Sequence, residues 1–189
     1  MPKRKPSIIS KTEKNRPCEK VAVYPGSFDP LTYGHINIIE RGLNFFETII
    51  VAVANNTSKH TVFSAQERVD IIKEIHKNRP NVKAVTFEGL LVDYCRKNDH
   101  RVILRGLRTV SDFEFEFQIA HANRQMYKEV DTVFMMTESE YSHLSSTIIK
   151  EIISLGGDGK GMIPPPVERE LKKKFGFKPA SPRSDKRRK

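Results

Sequence analysis

The chain has 189 residues, with 33 Lys and Arg against 23 Asp and Glu and only two cysteines. That length supports one domain with its own core and excludes reliance on disulfide staples, and no apolar run is long enough to span a membrane. The formal charge of +10 sits at the ends: residues 1–20 hold seven Lys or Arg against two acidic residues, residues 178–189 hold six against one, and the interior balances.

The basicity therefore argues against a folded body built to bind nucleic acid. Both ends are proline-containing and poor in large apolar groups, so disordered tails are expected over 1–19 and 178–189, flanking one domain over 20–177. The basic N-terminus has no apolar signal core behind it. Cys18 and Cys95 have no metal or disulfide spacing, which fits a reduced, cytoplasmic setting.

In chain order, the first apolar run is Val21-Ala22-Val23-Tyr24, read as a strand. It runs into Gly26-Ser27-Phe28-Asp29-Pro30-Leu31-Thr32-Tyr33-Gly34-His35 and then an amphipathic segment, Ile36 to Phe46. Strand, glycine turn and helix start make a phosphate site, because a helix N-terminus presents unpaired N–H groups and a positive dipole end. Gly26 and Gly34 are expected to let a ligand approach the backbone closely, and His35 adds a donor. Thr48 to Ala54 is a second, buried-type strand, followed by a loop carrying Lys59.

Ser64-Ala65-Gln66-Glu67 is a capping box opening a helix to about Asn78, with Val69, Ile72 and either Ile71 or Ile75 turned to the core. Val82 to Phe87 reads as strand and Leu91 to Asn98 as helix. Val102-Ile103-Leu104 is a fourth strand ending at Arg105-Gly106, and Arg105-Gly106-Leu107-Arg108 at its end offers two arginines that can grip phosphates in bidentate fashion. Phe113 to Phe117 alternates like a strand, but Ser111 and Glu114 have capping-box spacing and no breaker precedes Tyr127, so a long helix is preferred. Its three phenylalanines exceed one core stripe and point to a subunit contact.

Val130 to Met136 is the fifth strand. Tyr141-Ser142-His143-Leu144-Ser145-Ser146-Thr147 leads into a helix from Ser146 to Ser154, with more hydroxyls than one cap requires. Gly156-Gly157-Asp158-Gly159-Lys160-Gly161 fails the phosphate-loop pattern, since Gly161 stands where Ser or Thr is needed, and reads as a turn before a last helix, Pro166 to Phe175. The histidines show no ligand spacing, so no protein-bound metal is proposed. This strand–helix alternation predicts an α/β fold, a doubly wound, Rossmann-like, parallel five-stranded sheet with helices on both faces and ligands beyond the carboxyl ends of its strands.

Tyr24 to Pro30, Thr32-Tyr33-Gly34-His35, Arg105 to Arg108, Asp112-Phe113-Glu114 and Ser145-Ser146-Thr147 with Lys150-Glu151 together closely resemble the bacterial phosphopantetheine adenylyltransferases. These belong to the nucleotidyltransferase superfamily, whose signature is T/H-x-G-H. The resemblance spans about Lys20 to Phe175; Arg-Gly-Leu-Arg followed by Asp-Phe-Glu narrows superfamily to family. It implies transfer of the adenylyl group of ATP to 4′-phosphopantetheine, giving dephospho-coenzyme A and pyrophosphate, with Mg²⁺ accompanying ATP and a homohexameric assembly. By matching motif, Ser27, Phe28, His35, Gly106, Leu107, Arg108, Glu116, Tyr141, Ser142, His143, Leu144, Ser145, Ser146 and Thr147 would contact ATP. Ser27, Lys59, Leu91 and Arg105 would contact phosphopantetheine, and His35 would be catalytic. Ser27 stands where threonine is also common, and Tyr33 where asparagine is frequent. Two rivals remain at this level: a sister enzyme with nicotinamide mononucleotide or glycerol phosphate as acceptor, and nonspecific nucleic-acid binding through tails such as Lys186 to Lys189.

Overall fold

A computed structural model describes residues 20–55 and 60–177. The expected tails and Lys59 lie outside the described residues. The elements run β1 (Val21–Gly26), α1 (Tyr33–Gly42), β2 (Thr48–Ala54), α2 (Ala65–Ile75), β3 (Val82–Phe87), α3 (Leu91–Lys97), β4 (Val102–Leu107), α4 (Val110–Met126), β5 (Asp131–Met136), a short 3₁₀ turn (Ser139–Tyr141), α5 (Ser146–Ser154) and α6 (Pro165–Lys174). The five strands form one parallel sheet in the order β3-β2-β1-β4-β5. The α/β class, the strand count and the doubly wound topology are those expected from the sequence.

Both faces of the sheet are covered, which is why its strands read as near-continuous apolar runs. On one face Ala22, Tyr24, Ile49, Val51, Val53 and Leu104 pack under Ile38 and Ile39 of α1, Val69 and Ile72 of α2, Ile149 and Ile153 of α5, and Val167 and Leu171 of α6. On the other, Val23, Ile50, Ala52 and Ile103 pack against Val92 and Cys95 of α3. Burial pushes the Cys95 thiol up to about 11, so it behaves as a packed apolar group. On α2 it is Ile71 that is buried, while Ile75 packs at the margin.

The chain order reverses between β1 and β4, the position at which open α/β sheets bind ligands. β1 and β2 pair along six positions, from Val21–Thr48 to Gly26–Val53. β1 and β4 are bridged at Val23–Ile103. The carboxyl ends of β1 and β4 thus part company, and a crevice opens between Pro25–Ser27 and Arg105–Arg108.

Three local expectations are corrected. The first helix, capped by Thr32, carries His35 in its opening turn but stops at Gly42, where the chain turns through Leu43 to Phe45, instead of running to Phe46. β4 runs one residue past Gly106, to Leu107, because Arg105-Gly106-Leu107 pair with Phe134-Met135-Met136. α4 is helical throughout, but its cap is Thr109, whose hydroxyl accepts from the Asp112 N–H; Ser111 instead shares a hydrogen bond with Thr109. A cap two residues earlier sets the same helix, since Thr109 and Asp112 have the spacing attributed to Ser111 and Glu114. α4 buries only Asn123, and leaves Phe115 64% exposed beside β5, where Met136 is 58% exposed.

The loop after β1 is held from below. Asp29 is 3% exposed, and its carboxylate accepts from the Val62 and Phe63 N–H groups and from Lys150 Nζ, each at 3.0 Å. Beside it, buried Arg68 donates to the main-chain carbonyls of Ser27 at 2.6 Å, Ser64 at 3.2 Å and Ala54 at 3.3 Å. Breaking one partner of a buried, hydrogen-bonded pair leaves the other charge uncompensated. Asp29→Asn should lower the unfolding free energy in urea by about 3 kcal/mol, somewhat moderated by the partial exposure of Lys150. Lys150→Met should cost a similar amount, and the double variant less than the sum; an additive double variant would dissolve the pairing.

Candidate active site

Two cavities meet in the crevice. One, about 290 Å³, is lined mostly by apolar groups, with Ala54, Phe87, Leu91, Ile103, Ile119 and Ala120 among them. The other, about 380 Å³, is more polar and includes Phe28, Thr32, Gly34, His35, Arg108, Leu144, Ser145, Ser146 and Thr147. Pro25, Gly26, Ser27, Arg105 and Glu116 line both and form the wall between them. The first suits an extended, largely apolar arm; the second suits a polyanion.

His35 owes its chemistry to the helix it begins. Thr32 and His35 form a capping box with histidine where glutamate is usual: Thr32 Oγ1 accepts from the His35 N–H at 3.3 Å, and the Thr32 N–H donates to His35 Nδ1 at 3.0 Å. A main-chain N–H can only donate, so Nδ1 is an acceptor and the ring proton sits on Nε2. Burial, followed by the charges of Arg108 and Arg105, pushes the His35 pKa down to about 4. The ring is therefore a neutral donor at pH 7. The sign is that of a group resisting protonation in the fold: its contribution to stability is intact above pH 6.5 and erodes as pH falls toward 4.

The sequence-predicted residues sort unevenly. Ser27, Phe28, His35, Gly106, Arg108, Glu116, Leu144, Ser145, Ser146 and Thr147 line the polar cavity. Ser27, Leu91 and Arg105 line the apolar one. Leu107 is buried behind the wall, and its carbonyl accepts from the Thr137 N–H. Tyr141 to His143 precede the wall: Tyr141 packs 3.6 Å from where a Cβ on Gly34 would lie, Ser142 Oγ donates to the Ser139 carbonyl, and His143 is exposed.

Both arginines are anchored before any ligand is considered. Arg105 pairs with both oxygens of Glu116 and donates to the Pro25 carbonyl, tying β4 to α4 and β1. Arg108 pairs with Asp112 and donates to the Leu144 carbonyl. Each uses three of its five N–H donors and keeps two for another acceptor. Ser145 precedes α5 with no side-chain cap bond among the described residues, and Ser146 Oγ donates to the Pro30 carbonyl, so the α5 amides face the cavity uncapped.

The two glycines of the first motif have different reasons. A Cβ at Gly26 would fall 2.8 Å from the ring of Phe28, so the demand there comes from the protein and not from ligand approach. At Gly34 a Cβ would meet only ordinary contacts, which leaves ligand approach as the reason. Asp29 and Arg68 were not singled out from the sequence as working residues, and Thr32 entered only as the first letter of T/H-x-G-H, not as a cap. Thr-x-x-His just before an apolar helical run could have flagged Thr32; nothing local flags Arg68.

Comparison with known proteins follows this geometry. A family model described as cytidylyltransferase-like matches residues 23–152. The phosphopantetheine adenylyltransferase of Geotalea daltonii is 54% identical over 156 residues, 82% of this chain and 97% of that protein. The protein of the same name from Dictyoglomus thermophilum is 52% identical over 158 residues, 84% of this chain and 96% of its own. Among solved structures, a Vibrio parahaemolyticus protein assigned as a nicotinate-nucleotide adenylyltransferase superposes with a TM-score of 0.60 at 18% identity, covering 81% of this chain and 91% of that one, a likeness of fold. By sequence over nearly the whole of its relatives' length, this chain belongs to the phosphopantetheine adenylyltransferases, within the cytidylyltransferase-like superfamily.

Proposed function

We infer that the chain transfers the adenylyl group of ATP to 4′-phosphopantetheine, yielding dephospho-coenzyme A and pyrophosphate in coenzyme A synthesis. The observation that carries the reading is the shared wall: a polyanion cavity and an apolar-arm cavity touch at Ser27 and Arg105, beside a histidine locked as a neutral donor. An in-line displacement needs this arrangement, with attacking phosphate and α-phosphorus brought together from two sides.

No protein nucleophile is required. The acceptor's phosphate oxygen attacks the α-phosphorus of ATP, and pyrophosphate leaves. His35 Nε2–H donates to an α-phosphate oxygen as charge gathers there. Arg105 and Ser27 hold the attacking phosphate, a role the family resemblance also gives to Lys59; Leu91 lies along the pantetheine arm. Arg108 and the amides and hydroxyls of Ser145 to Thr147 take the β- and γ-phosphates. Gly106 lies beneath the nucleoside, Glu116 faces it from α4, and Phe28 offers main chain, since its ring is buried.

Mg²⁺ belongs to this reaction as the partner of ATP, neutralising phosphate charge. The described residues include no group of three or more His, Cys, Asp or Glu able to cage a metal. The cavity carboxylates Asp112 and Glu116 are both committed to arginines. That donor set fits an ion carried on the phosphates with most of its water retained. The exposed apolar surface of α4 and β5 supports self-assembly, and a homohexamer is the assembly proposed. The setting proposed is the cytoplasm, consistent with the free, buried Cys95.

The direct test is pyrophosphate release from ATP and Mg²⁺ with and without 4′-phosphopantetheine; release without dependence on that acceptor would sink the reading. His35→Ala should lower kcat by about 100-fold or more while moving the KM for ATP much less. Arg105→Ala should raise the KM for phosphopantetheine at least about ten-fold, with a smaller change for ATP; an unmoved acceptor KM would reject the assignment. ¹⁵N NMR of the imidazole should show the neutral Nε2–H tautomer from pH 8 to pH 5, with no titration near 6.5.

A further inference from the structure

We propose that the Tyr24 hydroxyl is a ligand contact in the polar cavity, a donor to an oxygen of the nucleotide's ribose–α-phosphate portion. Tyr24 sits at the fourth position of β1, two residues before Gly26, and lines that cavity. It is only 5% exposed. Its ring is fixed edge-on against Phe28, with centroids 5.3 Å apart. Phe28 in turn packs edge-on against His35 at 5.1 Å, so the three rings form one rigid row behind the reacting centre.

The hydroxyl at the end of this rigid ring has no hydrogen-bond partner among the described residues. Tyrosine hydroxyls on otherwise buried rings ordinarily find a protein partner; this one opens on the polar cavity, where a ligand can reach it. A Cβ on Gly106 would lie 3.5 Å from the hydroxyl and 2.8 Å from Ile38 Cγ1, so packing against Ile38 keeps this position a glycine and the hydroxyl sits beside its bare main chain. Burial, the largest influence, raises the phenol above its ordinary range despite the nearby Arg105 and Arg108, and keeps it a protonated donor at any working pH.

The ligand class follows from the neighbours. The cavity walls supply Arg108, His35 and the α5 amides, all donors suited to phosphate oxygens. Tyr24 adds a neutral donor deeper in, under Gly106, where the sugar and first phosphate of a nucleotide bound along this wall would lie. The inference rests on the nucleotide reading of this cavity.

The test is Tyr24→Phe in the full chain, with wild-type protein assayed alongside for acceptor-dependent pyrophosphate release. The expected result is a kcat/KM for ATP lowered about ten-fold, with the KM for phosphopantetheine within about two-fold of wild type. The thermal midpoint without ligand should stay at the wild-type value, while the upward shift produced by ATP and Mg²⁺ should shrink. A structural role would move the ligand-free midpoint down and leave the ATP dependence alone. An unchanged kcat/KM for ATP, or a defect confined to the acceptor, overturns the inference. Inactive wild type would instead overturn the functional reading.

Discussion

The Asp29 carboxylate is the constraint on which the site depends. It lies at the turn between the central strand and the first helix, where the backbone must reverse within a few residues while leaving its amides open. A turn of that kind cannot satisfy itself internally. Asp29 solves this by taking two main-chain N–H groups from residues 62 and 63 and an ammonium from α5. Three separate stretches of chain are thereby fixed relative to one another beneath the ligand cavities. Arg68 completes the arrangement by binding the carbonyls that close β1 and β2.

Above this base, the reacting groups gain their properties from main-chain geometry more than from unusual side chains. His35 is an ordinary histidine whose tautomer is chosen by the Thr32 N–H and whose proton affinity is lowered by burial between two arginines. A donor that is neutral and already oriented needs no reorganisation when charge builds on a phosphate oxygen. The arginines follow the same logic: each is tied to a carboxylate and a carbonyl, so each guanidinium is positioned by the fold.

Much of this was legible in the sequence. β2 and β3 were readable to the residue because each is an apolar run bounded by turns, and α2 because Ser64 and Glu67 announce it. The site motifs could be placed because each follows a strand or opens a helix. What escaped is what depends on distance in the chain. The ending of β4 was read one residue short, at Gly106, because only the pairing with β5 shows that Leu107 is held extended too. The α4 cap was displaced because two overlapping residue pairs have the same spacing. Arg68 carries no local signal; only the approach of Ser27 and Ala54, 41 and 14 positions away, gives its charge a buried task.

The wall shared by the two cavities has a consequence for how such a protein changes over time. The polar cavity draws its private residues from α1, the end of β4 and the start of α5, while the apolar cavity draws its own from β3, α3 and the middle of α4. Substitutions along α3 and the part of α4 beyond Glu116 can therefore reshape the berth proposed for the acceptor while leaving Asp112 and Glu116 to hold the two arginines. The architecture thus lets the apolar cavity be redrawn residue by residue on one side of the wall while the wall itself stays in place. A lineage built on this sheet has room to change one partner of a bisubstrate reaction without rebuilding the other.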